Sequence, residues 1–293
     1  MDIAMNFTLG LSEGVAWPWP IAVYLFLAGI SGGSVAIALI LNLYRKQTTV
    51  NTPVLKAASL TGLITILLGM VCLVLDLTNP LFFWRILVYY NLSSVMSLGV
   101  IALLFYIPLV FVLTLVALRD EVKKCGALHW IVLVLALTIC AYTGFLISAL
   151  IRFPLINTAV LPALFVASGL SAGAAASKMI AVSMFGDKLD SHDQHILHGV
   201  EYPVMAAEIL CIFMIAVSLI LGNAAQQAAA AAFVSGPWAT EFWVGVVGVG
   251  FVLPLLFGCM KSRAGFFLGG LASVAGMMCL RLFILYAGQL FSI

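Results

Sequence analysis

The length of the chain would suit one large domain or two smaller ones, but its composition excludes a soluble fold. Of its 293 residues, 64% are hydrophobic and only 8% are charged, and the mean hydropathy is +1.21. A soluble domain carries roughly 25% charged residues, so most of this chain must lie in the lipid bilayer. The net charge of +2 is close to neutral, and no nucleic-acid partner is expected.

Apolar runs bounded by charged residues, proline, glycine or asparagine predict eight transmembrane helices, since about 20 apolar residues cross a bilayer core. In chain order they cover residues 20–44, 54–77, 95–118, 127–151, 158–185, 197–222, 238–260 and 264–289. The predicted fold is an all-α integral membrane protein in which residues 1–293 form a single transmembrane domain. Residues 1–20 contain no basic residue and so lack the start of a cleaved signal peptide. The first helix is therefore expected to remain in the mature protein.

Basic residues orient these helices, because Lys and Arg concentrate on the cytoplasmic side of a membrane protein. Ten of them lie at the first, third, fifth and seventh connections or the adjoining helix ends: Arg45, Lys46, Lys56, Arg119, Lys123, Lys124, Lys178, Lys188, Lys261 and Arg263. Only Arg85 and Arg152 lie on the opposite side. Both termini are therefore predicted to face outside, which is the periplasm if the protein lies in a bacterial inner membrane.

A weak internal repeat divides the chain. Residues 25–33, LFLAGISGG, resemble residues 164–173, LFVASGLSAG, with one extra residue in the second copy. Both segments enter the membrane from the outer side, which predicts two parallel four-helix bundles covering about residues 20–151 and 158–289. The alternative is that small residues recur wherever membrane helices pack closely.

Several polar residues are predicted to lie at one level near the outer surface, where each buried ionisable group costs at least ~2.5–3.5 kcal/mol unless it has a partner or a role. They are Tyr24, Asp76, Tyr142, Arg152, Asn157 and Arg281. Phenol, amide and guanidinium groups donate hydrogen bonds to the two carbonyls of a quinone, and a carboxylate takes up protons when quinol is oxidised. This set therefore predicts a quinone site, with Asp76 and Tyr142 as its catalytic residues. The alternative is that Asp76 pairs with an arginine merely to orient helix ends.

The sixth helix carries a second polar stripe. His198, Glu201 and Glu208 share one face and rise from the inner end toward the middle of the membrane. They are candidates for a proton path. The alternative is that a protonated Glu208 forms a hydrogen bond that fixes the helix.

Haem and metal are not expected in this chain. A haem-bearing cytochrome needs histidine pairs that face each other within the helices, whereas all four histidines lie at inner helix ends: His129, His192, His195 and His198. The six cysteines are scattered singly without metal-binding spacing.

Segments along nearly the whole chain resemble the NrfD/PsrC family of respiratory membrane subunits. They are residues 17–29, 76–80, 83–85, 94–99, 142–148, 157, 161–162, 168–173 and 280–289. By position, Tyr142 resembles the family tyrosine that binds the quinone carbonyl, and Asp76 resembles the acidic residue near the head group. Tyr24 and Ile21 depart from a histidine and an asparagine of the family pattern, which leaves the partner of the second carbonyl open.

The resemblance implies a haem-free quinol dehydrogenase subunit that is not active alone. Menaquinol or ubiquinol would be oxidised near the periplasmic face, and its electrons would pass to a docked, ferredoxin-like iron–sulfur subunit. From there they would reach a catalytic reductase for polysulfide, thiosulfate or nitrite. The alternative function is a secondary transporter or a proton-translocating subunit without quinone chemistry. A transporter would favour broken helices with ion ligands at the midplane, yet Pro108 and Pro254 have no neighbouring carboxylates.

Overall fold

The computed structural model describes residues 17–44, 52–77, 80–88, 94–119, 126–185, 191–260 and 263–290. Within these ranges, eight helices are long and apolar enough to cross a membrane. They are α1 (Trp19–Tyr44), α2 (Pro53–Leu75), α3 (Val95–Leu118), α4 (Gly126–Ser148), α5 (Leu161–Phe185), α6 (Ser191–Ile220), α7 (Glu241–Gly258) and α8 (Ala264–Leu290). The predicted all-α membrane fold is confirmed. We call the face at which α1 begins the outer face, as the charge distribution predicts.

The connections at the outer face contain short helical segments that the hydropathy pattern does not predict. They are Pro80–Phe82, Trp84–Val88, Ala224–Ala230 and Ala231–Phe233. Helix α6 begins at Ser191 rather than at residue 197. Helix α4 ends at Ser148 rather than at residue 151, because the Asn157 amide Nδ2 donates a hydrogen bond of 3.0 Å to the Ser148 carbonyl.

Two helices change their winding near the outer face. Helix α7 is a π-helix over Glu241–Val252 before it becomes α-helical at Leu253, and α8 contains a π-helical turn at Phe283–Ala287. Beyond this turn, the Gln289 side chain accepts a hydrogen bond from the Trp17 N–H and donates one to the Trp17 carbonyl, at 3.0 and 3.2 Å. The outer end of α8 is thereby tied to the start of α1.

Helices α1 and α5 form the centre of the bundle. In the most apolar window of each helix, 78% of α1 and 67% of α5 is buried, against 22% of α6 and α7. Helix α1 packs against α2, α4, α5 and α8, whereas α5 packs against α1, α2, α4, α6 and α8. The two central helices therefore connect all the others except α3 and α7, which pack onto α2, α4 and α8.

The contact between α1 and α5 depends on glycines. A Cβ atom on Gly33 would overlap the Gly169 backbone, and one on Gly173 would overlap the backbone of Gly33 and Ser34. Small residues allow membrane helices to approach this closely, which strengthens van der Waals packing where lipid supplies no hydrophobic driving force. The two copies of the short sequence repeat thus meet each other, while the division into two four-helix bundles stays a prediction.

Buried hydroxyl groups join α1, α2 and α3 to one another. The Ser31 hydroxyl donates to the Gly62 carbonyl at 2.7 Å and lies 3.0 Å from the buried Tyr106 hydroxyl. The Thr114 hydroxyl lies 3.2 Å from the Ser59 carbonyl, to which it donates. These bonds satisfy polar groups that would otherwise face an apolar interior at a cost of ~1–3 kcal/mol each.

The surface of the bundle that faces lipid is apolar, as contact with hydrocarbon requires. Large exposed side chains occur on many of the helices, among them Leu67, Phe105, Trp130, Phe213, Trp243 and Leu256. Exposed apolar surface on every side is unfavourable in water but matches a hydrocarbon environment.

Replacement of Gly33 by alanine tests the α1–α5 contact. We expect Gly33→Ala to destabilise the protein by ~1–3 kcal/mol, because the added methyl group would force two backbones apart. Thermal unfolding in mild detergent should show a lower midpoint. Gly199→Ala is the matched control, since a Cβ there meets open space. Equal midpoints for the two variants would contradict the role of this contact.

Candidate functional site

Two tyrosines lie near the outer ends of their helices. Tyr24 follows the start of α1 by five residues and Tyr142 precedes the end of α4 by six, which places them ~7–9 Å inside the outer helix ends at 1.5 Å per residue. The two phenol groups lie close enough to interact electrostatically. We call Tyr24 and Tyr142 the tyrosine pair.

The Tyr24 hydroxyl is buried and has no hydrogen-bond partner among the described residues. Leaving such a group unsatisfied costs ~1–3 kcal/mol. Native structures rarely tolerate that cost without a role for the group, such as binding a ligand or water. The ring itself is well supported, since Gly69 of α2 lies against it.

The Tyr142 hydroxyl donates to the Met96 carbonyl across 3.4 Å. This is long for a hydroxyl donor, whose bonds centre near 2.7–2.8 Å, so the interaction is weak and a better acceptor could replace it. The ring of Tyr142 lies directly over Gly99 of α3, where a Cβ atom would overlap it. Gly99 therefore provides the space that the ring occupies.

Asp76 lies at the outer end of α2, on the helix face that contacts Tyr24. It follows Gly69 by seven residues, and residues seven apart share a helix face about 10 Å apart. The side chain is half-buried, and this burial raises the pKa of the Asp76 carboxyl above its usual range. Asp76 thus lies on the outer side of the contact between Gly69 and Tyr24.

Arg152 and Asn157 lie in the connection that follows α4. The Arg152 side chain is exposed, and the Asn157 amide caps α4 through its bond to Ser148. Among the described residues, no hydrogen bond links either of them to the tyrosine pair. Their predicted contact with quinone stays a prediction.

Arg281 is fully buried. Its guanidinium lies 3.6 Å from the centre of the Phe165 ring, and Nη2 donates to the Phe165 carbonyl at 3.4 Å. A Cβ on Gly29 would come within 3.4 Å of the same nitrogen. The Gly29 carbonyl also accepts a hydrogen bond of 3.7 Å from the thiol of Cys140, two residues from Tyr142 on α4, so Arg281 lies ~3 Å from the level of Tyr142 along that helix. Its predicted contact with quinone stays a prediction.

The second predicted stripe lies on α6. Glu208 is buried near the middle of the membrane and interacts electrostatically with Arg281. Glu201 lies toward the inner face, where it forms an ion pair of 2.7 Å with Lys178. His198 belongs to the same helix. Glu208 and Arg281, which the sequence assigned to different groups, thus interact electrostatically without a direct ion pair among the described residues.

Three residues of this region were not assigned a role from the sequence. Gly69 and Gly99 support the two tyrosine rings, and Met96 supplies the carbonyl that faces Tyr142. A glycine in an apolar helix indicates that a neighbouring group packs closely against it, but it does not identify the side chain that does so. A backbone carbonyl leaves no signal in the sequence at all.

The described part of the chain contains no group of three or more His, Cys, Asp or Glu side chains that could hold a metal ion. Phenol groups and a carboxyl group can form hydrogen bonds and exchange protons. The fold thus defines a multi-pass membrane protein that carries two tyrosine hydroxyls and a carboxyl group toward its outer face.

Comparison with known proteins identifies the family. The profile of the family described as "Polysulphide reductase, NrfD" matches residues 8–293. The protein is 38% identical to the C subunit of the polysulfide reductase of Wolinella succinogenes over 302 residues, which cover 94% of this protein and 95% of the relative. It is also 35% identical to protein NrfD of Escherichia coli and 36% identical to the NrfD homolog of Haemophilus influenzae, with 95% of this protein and 96% of each relative covered. The chain belongs to the NrfD family of membrane proteins, and the resemblance seen in the sequence is confirmed.

Replacement of Gly99 by alanine tests the support of Tyr142. We expect Gly99→Ala to displace the Tyr142 ring, since the new methyl group would occupy its position. Any activity that depends on Tyr142 should then fall at least as far as in Tyr142→Phe, although the hydroxyl is still present. Gly126→Ala, at a position where a Cβ meets no atom within 4 Å, should keep full activity. Unchanged activity in Gly99→Ala would show that the ring is not needed where the structure places it.

Proposed function

We propose that this chain is the quinol-oxidising membrane subunit of a respiratory reductase complex. The observation that carries the proposal is the buried Tyr24 hydroxyl, which has no partner in the described structure. The Tyr142 hydroxyl, which is only weakly bonded, lies close enough to interact with it electrostatically, and two such hydroxyls could serve the two oxygens of a quinol head group. The substrate is menaquinol or ubiquinol, taken from the lipid bilayer.

Tyrosine suits both redox states of this substrate. A quinol hydroxyl donates a hydrogen bond, and the quinone carbonyl that replaces it accepts one. A phenol can do either, because its O–H group rotates and its oxygen carries lone pairs. Tyr142 would hold one oxygen and Tyr24 the other, so the head group stays in place while it loses two protons and two electrons.

Asp76 would receive the protons on the outer side. A base works best when its pKa lies near the operating pH, and burial moves the pKa of Asp76 in that direction. The carboxyl lies ~10 Å beyond the ring contact at Gly69, so a proton would reach it through water rather than directly from the head group.

The electrons would leave the membrane at the same face. The protein would pass them to a ferredoxin-like iron–sulfur subunit in the periplasm, and that subunit to a catalytic reductase. One relative is named as a component of a polysulfide reductase, so a sulfur compound is one candidate acceptor. Nitrite is another, as the family resemblance of the sequence implies. In this arrangement the protein lies in the bacterial inner membrane with both termini in the periplasm, and it has no complete catalytic cycle by itself.

Removal of the Tyr142 hydroxyl tests the proposal. Tyr142→Phe keeps the ring over Gly99 and removes one hydrogen bond worth ~0.5–1.5 kcal/mol, so quinol-dependent reduction by the assembled complex should fall several-fold. Reduction with an artificial donor that feeds the peripheral subunits directly should be unchanged. Equal quinol-dependent rates in wild type and variant would place the quinol site elsewhere.

The pH dependence tests the role of Asp76. The carboxyl must be ionised to accept a proton, so quinol oxidation should rise with pH through its raised pKa. Asp76→Asn should lower the rate and remove this rise, whereas Asp76→Glu should keep it. The measurement is the pH profile of quinol-dependent reduction, corrected by the artificial-donor rate at each pH. An unaltered profile in Asp76→Asn would exclude Asp76 as the acceptor.

A further inference from the structure

Helices α6 and α7 leave a cleft between them at the edge of the bundle. Among the spanning helices in the described part of the chain, α6 packs extensively only against α5, and α7 packs extensively only against α8. The space between them is therefore bounded by both helices but filled by neither. Its lining residues include Tyr202 and Met205 of α6, Pro254, Leu255 and Gly258 of α7, and Phe266 of α8, and we call it the α6–α7 cleft.

The α6–α7 cleft is open to the lipid. Tyr202 and Leu255 are exposed, whereas Met205 is buried, so the cleft leads from the surface of the bundle to its interior. Its volume is about 480 Å³, within the range of pockets that hold one small organic ligand. An apolar wall that nothing covers loses its dispersion contacts. A chain of methylene groups from the surrounding bilayer would restore them.

The cleft begins where the lipid head groups lie on the inner side. Gly258 is the last residue of α7, and the apolar part of α6 begins at Gly199, three residues before Tyr202. The Tyr202 hydroxyl reaches across to α7, since a Cβ atom on Gly258 would lie 3.3 Å from it. Along α8 the lining extends from Gly265 to Ser273, which is ~12 Å at 1.5 Å per residue. The cleft thus extends from the inner interface into the hydrocarbon core.

An ion pair lies at the inner end of the cleft. Lys178 of α5 pairs with Glu201 of α6 at 2.7 Å, and the Lys178 ammonium also lies 4.5 Å from the centre of the Phe266 ring. The Lys178 side chain is only 4% exposed, whereas that of Glu201 is 22% exposed. A ligand that enters the cleft therefore meets the carboxylate before the ammonium. A carboxylate can accept several hydrogen bonds at once, so Glu201 can bind a second cation while it keeps Lys178.

We propose that the α6–α7 cleft binds one phospholipid of the inner leaflet whose head group carries a primary amine. The amine of the lipid donates a hydrogen bond to the Glu201 carboxylate, and the Tyr202 hydroxyl donates one to its phosphate. One acyl chain lies between α6 and α7 along Met205 and Leu255. The lipid supplies the contact between these two helices that the protein itself does not make.

The chemistry of the inner end favours this lipid over other phospholipids. Phosphatidylglycerol has no cation, and its phosphate would be repelled by the exposed carboxylate of Glu201. Phosphatidylcholine has a cation but no N–H group that could donate to a carboxylate. Phosphatidylethanolamine has both the charge and the donors.

The position of the cleft distinguishes its occupant from the proposed quinol. The tyrosine pair lies on α1 and α4 near the outer face, whereas the cleft lies among α5, α6, α7 and α8 at the inner face. Lipid binding can therefore be measured without quinol turnover, and a failure of one proposal leaves the other in place.

The test is binding of defined lipids to the full-length protein, purified in mild detergent and depleted of lipid. Phosphatidylethanolamine, phosphatidylcholine and phosphatidylglycerol with identical acyl chains are titrated separately, and bound lipid is counted by native mass spectrometry. We expect one tightly bound phosphatidylethanolamine and roughly tenfold weaker binding of the other two, the loss expected for one hydrogen bond to a charged group. Phosphatidylethanolamine should also raise the midpoint of thermal unfolding. Equal binding of the three lipids would overturn the proposal, and so would displacement of the bound lipid by a short-chain quinone.

Two tryptophan variants of α7 test the location. Leu255→Trp places a larger side chain in the cleft and should weaken phosphatidylethanolamine binding several-fold. Leu256→Trp is the matched control, because Leu256 is also exposed on α7 but does not line the cleft, and it should bind the lipid as wild type does. Unchanged binding in a folded Leu255→Trp variant, or an equal loss in both variants, would place the lipid elsewhere and overturn the proposal.

Replacement of Glu201 tests the head group. Glu201→Gln removes the negative charge, so the preference for phosphatidylethanolamine over phosphatidylcholine should largely disappear while the acyl chain still binds. A folded variant that keeps the full preference would contradict the role of Glu201. If the loss of the ion pair with Lys178 prevents folding, the three-lipid comparison in the wild type decides the same point.

Discussion

The close approach of α1 and α5 is the contact on which the rest of the structure depends. In lipid, two helices gain little from the hydrophobic effect, so backbone proximity at Gly33, Gly169 and Gly173 supplies the packing. Glycines at the α1–α5 contact also leave space for side chains of other helices. Gly32 faces the Cys140 thiol of α4, and Gly29 faces the Arg281 guanidinium of α8. A wider separation of α1 and α5 would shift both α4, which carries Tyr142, and α8, which carries Arg281.

The sequence predicts the helices well because the bilayer imposes a simple rule. Each span must be apolar and must satisfy its own backbone hydrogen bonds, so hydropathy alone locates all eight helices. The predicted helix ends and winding are wrong where a side chain from another part of the chain, or a neighbouring helix, determines them. Helix α4 ends early because Asn157, nine residues later, caps its last turn. The π-helical winding of Glu241–Val252 changes neither length nor hydropathy enough to be seen in the sequence.

A residue count along a helix predicts the level of a polar residue only to within the reach of its side chain. Counting residues places the Cα atom, but a helical side chain leans toward the start of its helix. Tyr24 lies on α1, which starts at the outer face, so its side chain leans outward. Arg281 lies on α8, which starts at the inner face, so its side chain leans inward from its Cα atom, to the ring and carbonyl of Phe165. A residue count thus gives the level of the Cα atom, whereas the direction of the side chain decides which neighbours its polar end contacts.

The polar interior differs between the first four helices and the last four. Between α1, α2 and α3 it consists of neutral hydroxyls such as Ser31 and Tyr106, which bond to each other and to backbone carbonyls. Between α5, α6 and α8 it contains charges, Lys178 with Glu201 and Glu208 with Arg281. A hydroxyl is satisfied by one or two local bonds, whereas each charge costs at least ~2.5–3.5 kcal/mol at a helix centre. The ionisable groups of the last four helices therefore need partners from neighbouring helices, as Lys178 of α5 and Glu201 of α6 supply to each other. This requirement ties the positions of those helices together more strongly than the local hydroxyl bonds of the first helices do.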